Sequence, residues 1–112
     1  MSGGFIESGL TAASLDLHRA LASLQEELEA IDYYHQRVDA ASDSALKSIL
    51  VHNRDDEMEH AAMLLEWLRR TLPGFDLQLK KFLFMSGDLT ALAKGDPPSA
   101  TSGSGLGLAN LK

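Results

Sequence analysis

The chain has 112 residues, no cysteine, and 16 acidic against 10 basic side chains, for a formal charge of -6. The missing thiols exclude disulfides, zinc–thiolate sites and iron–sulfur clusters, and the acidic balance argues against a nucleic-acid-binding surface. A chain this short makes about one small domain with a thin core, a shortfall that a metal ion or a partner chain often makes good. The opening MSGGFIESG has neither a basic region nor an apolar run, so no secretory signal is expected. No stretch approaches the roughly 20 apolar residues of a membrane span. The expectation is a soluble, cytosolic protein that needs a metal or a partner.

Helix breakers organise the chain. From Leu10 to Leu72 there is neither glycine nor proline, and Ala, Leu and Glu abound; these are strong helix formers. Thr11 or Ser14 can cap a first helix that runs to about Ala40. Leu17, Leu21, Leu24, Leu28, Ile31 and Val38 recur in steps of four and three, with His35 in the one gap, so they form one apolar stripe. Ser42, Asp43 and Ser44 are good N-caps, and a second helix is expected from about Ser44 to Arg70. Arg69 and Arg70 suit its negative end, and Leu72-Pro73-Gly74 stops it. Phe75 to Met85 reads as a short third helix ended by Gly87, and Asp88 to Ala93 as one further turn. The fold class is therefore all-α, an antiparallel two-helix hairpin with a short C-terminal helix. Three parts are expected: a helical domain over residues 1–94, a Gly/Ser/Pro linker over 95–105, and a leucine-bearing segment, LGLANLK, over 106–112.

Charged residues interrupt both apolar rows. On the first helix the row Ala20, Leu24, Glu27, Ile31, Tyr34, Val38 contains Glu27; on the second, Leu46, Leu50, Asn53, Glu57, His60, Leu64, Trp67 contains Glu57 and His60. Residues spaced three apart on a helix point the same way. An unpaired buried carboxylate is costly, so two carboxylates and an imidazole on core rows call for a cation. A turn near Ala41 and Ser42 places Glu27 fourteen to fifteen residues before it, and Glu57 and His60 fifteen to eighteen after it. At about 1.5 Å per residue, the three groups fall within roughly one helical turn of the same height. One hairpin supplies only two long helices. Two copies about a two-fold axis would make a four-helix bundle with Glu from two helices and Glu-x-x-His from the other two, the ligand set of ferritin-like di-iron carboxylate proteins. Oxygen-rich ligands with one imidazole per metal suit iron or manganese.

The runs EELEAIDYYHQRVDA (Glu26 to Ala40) and HNRDDEMEHAAMLLEWLRR (His52 to Arg70) resemble the encapsulated ferritins, short ferritin-like proteins packaged inside bacterial encapsulin nanocompartments. The resemblance covers roughly the first three quarters of the chain. It implies a hairpin that dimerises to complete a di-iron (Fe) centre, a ring of five dimers, and oxidation of Fe(II) to Fe(III), with the shell storing the mineral. On this resemblance Glu27, Glu57 and His60 match the ferroxidase ligands. Glu26 and Glu29 match an outer acidic pair that guides metal to the centre, and Tyr33 and Tyr34 match an aromatic pair beside it. Trp67 is expected in the core, and His18, His35 and His52 are unassigned. LGLANLK is similar to the docking peptides of encapsulin cargo, with Leu106, Leu108 and Leu111 available to fill apolar pockets of the shell protein.

The expected function is thus that of a ferroxidase cargo protein, a homo-oligomer inside a cytoplasmic encapsulin compartment, with no nucleic acid and no membrane among its partners. Two alternatives stay open from the sequence. One keeps the di-metal bundle but reduces peroxide or handles manganese; the other is a metal-free helical adaptor whose tail is its functional element.

Overall fold

The computed structural model describes residues 6–98. Their order is α1 (Ala12–Ala40), α2 (Ser44–Thr71), α3 (Pro73–Phe82) and α4 (Leu89–Ala93), with no strand among the described residues. The chain divides into two compact units, one through Leu68 and the other from Arg69. No helix is long and apolar enough to cross a membrane among the described residues. The expected peptide 106–112, and the expected linker from residue 99 onward, lie outside the described residues.

The first unit is the antiparallel hairpin. Thr11 caps α1, its hydroxyl accepting from the Ser14 N–H at 3.1 Å. Asp43 does the same for α2, its Oδ2 accepting from the Leu46 N–H at 2.9 Å. Each cap satisfies one of the N–H groups that a helix start leaves without a partner. Along α1 the half-buried positions include Leu17, Ala20, Leu24, Glu27, Ile31, Tyr34 and Val38, a row advancing by three and four. The expected stripe is wider than the buried row, since Leu21 and Leu28 stay exposed on its flank. Trp67, expected in the core, is 40% exposed. The reason is common to these three: two packed helices share a single seam, so an apolar stripe wider than that seam has an uncovered edge. Only Ala61, Leu68 and Leu92 are buried apolar side chains among the described residues.

The second unit differs from expectation at its helix ends. α3 starts at Pro73, two residues before Phe75, because proline has no N–H to lose at the first helical position and its φ is already helical. It stops at Phe82, well before Gly87. Leu83 is extended and Phe84 has φ 60, a left-handed conformation that ends helices and that a bulky residue seldom adopts. α4 forms as expected. Asp88 caps it, accepting from the Ala91 N–H at 3.0 Å and the Thr90 hydroxyl at 2.6 Å. These two bonds hold the Asp88 carboxyl below the usual carboxylate range, the Thr90 bond contributing most. Lys81 on α3 donates from Nζ to the Ala93 carbonyl at 3.0 Å, tying α3 to the end of α4.

The first residues of the expected linker still belong to that cap. Gly95 has φ 95 and donates to the Leu92 carbonyl at 3.0 Å, while Asp96 donates to the Ala91 carbonyl at 3.1 Å. This pair of bonds is the Schellman arrangement, which places glycine where the chain turns left-handed after a helix.

Candidate metal centre

The two carboxylates of the site come from different helices. Glu27 projects from the middle of α1, and Glu57 and His60 from adjacent turns of α2. His60 Nδ1 stands 3.6 Å from Glu27 Oε1 and 3.7 Å from Glu57 Oε1. One ligand atom from each of the three lies within 4.8 Å of the others. Ligand atoms that share an ion at about 2.0–2.2 Å stand about 3–4 Å apart, so the cluster has the span of a half-formed coordination sphere. The two carboxylates are half-buried, while the His60 side chain is 44% exposed. An open side remains on the imidazole.

Electrostatics point the same way. The Glu57 carboxyl is pushed above its ordinary value, first by a hydrogen bond to the Glu27 carboxyl, then by burial and by the Glu27 charge. His60 opposes the rise and Asp56 adds to it. Two negative charges this close repel, and a nearby positive charge relieves that repulsion. A divalent cation is such a charge, and two hard oxygens with one borderline nitrogen are donors that iron, manganese or zinc accept. The donor set fits a metal ion.

The other residues singled out by sequence are disposed around this cluster and do not join it. Glu26 and Glu29 are exposed on α1, one residue before and two after Glu27, and so turned to another side of the helix. Tyr33 is exposed. Tyr34 is half-buried on the Glu27 row, with the Arg37 guanidinium carbon 5.2 Å from its ring centroid, a cation–π distance.

Two features escaped the sequence reading. His35, unassigned there, meets Arg54 across the hairpin, its Nδ1 accepting from Arg54 Nη1 at 3.2 Å. Arg54 is otherwise held by Asp55, Nε to Oδ1 at 3.4 Å. The available signal was His35 filling a gap in the apolar stripe at the height of an arginine one turn before Glu57. His52, also unassigned, pairs with Asp56 one turn on, Nε2 to Oδ2 at 3.2 Å; an i,i+4 His/Asp spacing would have suggested it.

The chain and its fold have counterparts among known proteins. A crystal structure of a protein from Nitrosomonas europaea superposes with a TM-score of 0.74 at 55% identity, covering 77% of this chain and 97% of that one. A "Ferritin-like protein" of Thermotoga maritima is 49% identical over 105 residues, 93% of this chain and 92% of its own. An "Encapsulated ferritin-like protein" of Rhodospirillum rubrum is 49% identical over 98 residues, 88% of this chain and 67% of its own. An "Encapsulin nanocompartment cargo protein" of Myxococcus xanthus is 39% identical over 51 residues, 46% of this chain and 39% of its own. The EncFtn-like family matches residues 6–86, a span that holds the whole hairpin and all three clustered ligands. On the strength of that match and of its relatives, the chain belongs to the EncFtn-like family.

Proposed function

We propose that this protein is a ferroxidase cargo of an encapsulin compartment, with Fe(II) as its substrate. The observation that carries the reading is the convergence of Glu27, Glu57 and His60 from two helices onto one point. Family membership and the names of the Rhodospirillum and Myxococcus relatives support the packaging.

One hairpin presents half of the ligand set. A second copy, covering exposed apolar side chains such as Leu21, Leu28, Leu46 and Ile49, completes a four-helix bundle and brings a second Glu, Glu and His to the two-fold axis. A homodecamer of five such dimers is the assembly this family resemblance implies. Within each half, Glu27 and Glu57 both offset the charge of the arriving Fe(II). His60 supplies the neutral nitrogen and keeps one side open to solvent and oxygen. Glu26 and Glu29 form an outer acidic pair on the approach, and Tyr33 and Tyr34 flank the centre. Each pair of Fe(II) ions passes two electrons to O₂, which takes up two protons and leaves as hydrogen peroxide. The helical domain (1–94), linker (95–105) and docking peptide (106–112) divide the labour: the first oxidises iron, and Leu106, Leu108 and Leu111 address it to the shell.

The deciding experiment follows aerobic Fe(II) oxidation by absorbance for the wild type, Glu57→Ala and His60→Ala. Both variants should lose rapid oxidation. Wild-type rates in either would remove these residues from the site. Oxidation that proceeds with peroxide and not with O₂ would instead favour a peroxide-reducing bundle, and purified protein with no bound metal and no response to iron would favour an adaptor.

A further inference from the structure

The cluster has a neighbour that metal binding does not explain. Met63 lies three residues beyond His60 on α2, so its side chain and the imidazole occupy adjacent turns of one face, with Cβ atoms about 5–6 Å apart. It is 61% exposed, against 46% for Met58 and 43% for Met85. Met58 follows Glu57 directly and precedes His60 by two, spacings that turn it away from both. Met85 lies in the second unit. A thioether is the one apolar side-chain group that peroxide oxidises readily, and the product sulfoxide can be reduced again.

We propose that Met63 is an oxidisable guard residue, which intercepts hydrogen peroxide leaving the Glu27–Glu57–His60 cluster and becomes methionine sulfoxide. The inference rests on the ferroxidase reading, which supplies the peroxide. In the step itself a sulfur lone pair attacks one peroxide oxygen, the O–O bond breaks and an S–O bond forms. The departing hydroxide takes the proton of the transferred OH, so one thioether and one H₂O₂ give one sulfoxide and one water. Sulfur loses two electrons and the peroxide gains them.

The test compares two ways of oxidising the full-length protein to the same total sulfoxide: successive additions of Fe(II) in air, and hydrogen peroxide in bulk without iron. Peptide mass spectrometry then reads the oxidised fraction at Met63, Met58 and Met85. Bulk peroxide should oxidise them in rough proportion to exposure. Iron turnover should raise the Met63 to Met85 ratio at least about fivefold above that, because the oxidant arises one helical turn away. An unchanged ratio in a sample that does oxidise iron overturns this inference alone. Absence of iron oxidation, or reduction of O₂ fully to water, overturns it together with its source. Met63→Leu should keep the wild-type rate on the first iron addition and lose activity sooner over later ones; a variant that endures like the wild type would refute the guarding role.

Discussion

Replacing Glu57 with glutamine should make the metal-free protein more stable and the metal-loaded protein less so. Glu27 and Glu57 place carboxylate oxygens no more than 4.8 Å apart. At that separation two full charges repel by about 3.5 kcal/mol at an effective dielectric of 20, and by about 0.9 kcal/mol in bulk water. Both side chains are half-buried and His60 offsets part of the repulsion, so a net cost of about 1 kcal/mol is the reasonable expectation. The hydrogen bond to Glu27, burial and this repulsion together push the Glu57 carboxyl above its ordinary value, so the cost is relieved only where that carboxyl is protonated. A carboxyl raised in the folded state stabilises most below its unfolded pKa, and that contribution is lost as pH rises through the folded one. Metal-free wild type should therefore melt lower at pH 7.5 than at pH 5 relative to Glu57→Gln, which lacks this titration. At pH 7.5 the variant should melt higher by about 4–8 °C, the shift that about 1 kcal/mol produces in a domain of this size. Saturating Mn(II), used as a redox-quiet stand-in for Fe(II), should reverse the order: at a hundred times Kd it adds about 2.7 kcal/mol to the wild type and little to the variant. Melts at one fixed protein concentration, with chelator or with Mn(II), read all four conditions. A Glu57→Gln protein less stable than the metal-free wild type at pH 7.5 would refute the argument, because the pair would then be attractive.

Other consequences concern the second unit and the tail. Asp76 is held below the usual carboxylate range by Lys80 first and by Arg69, so the stability it contributes is present above its unfolded pKa and lost as pH falls through its folded one. The gap in melting temperature between the wild type and Asp76→Asn should thus close as the pH is lowered from 7 to 3. Phe84 is exposed and holds φ 60, so Phe84→Gly should relieve strain of about 1 kcal/mol and raise the melting temperature slightly; a fall would show that the ring makes up for the strain. Deleting Leu106–Lys112 should leave iron oxidation intact and stop co-purification with a co-expressed shell protein, and loss of oxidation on that deletion would count against a separate address.

Much of this was legible from spacing. The run free of Gly and Pro from Leu10 to Leu72 marked the two long helices to within a residue or two, since nothing in it opposes helix formation. Glu27, Glu57 and His60 stood out because each interrupts an apolar row, and the hairpin's symmetry put them at one height. The ends of α3 were less legible. Pro73 reads as a stop for the helix before it and as a start for the one after it, and Phe84 carries no glycine to announce a left-handed residue. Gly95 did carry one, hidden in a stretch whose composition reads as linker. The exposure of Trp67 was not legible, because periodicity gives the direction a side chain takes and says nothing of how wide the covering surface is.

By itself, then, the sequence determined the two helices, the faces they turn toward each other, and the heights at which three ligand-type residues interrupt those faces. A fixed rise of about 1.5 Å per residue and 3.6 residues per turn is enough for that. Only the tertiary structure decided that Nδ1 of His60 comes within 3.6 and 3.7 Å of both carboxylates, that Glu27 and burial push the Glu57 carboxyl above its ordinary value, and that Leu21, Leu28 and Trp67 stay partly exposed. Those outcomes depend on the distance between helix axes, on side-chain rotamers and on the width of one seam, none of which a repeat pattern along a single chain encodes.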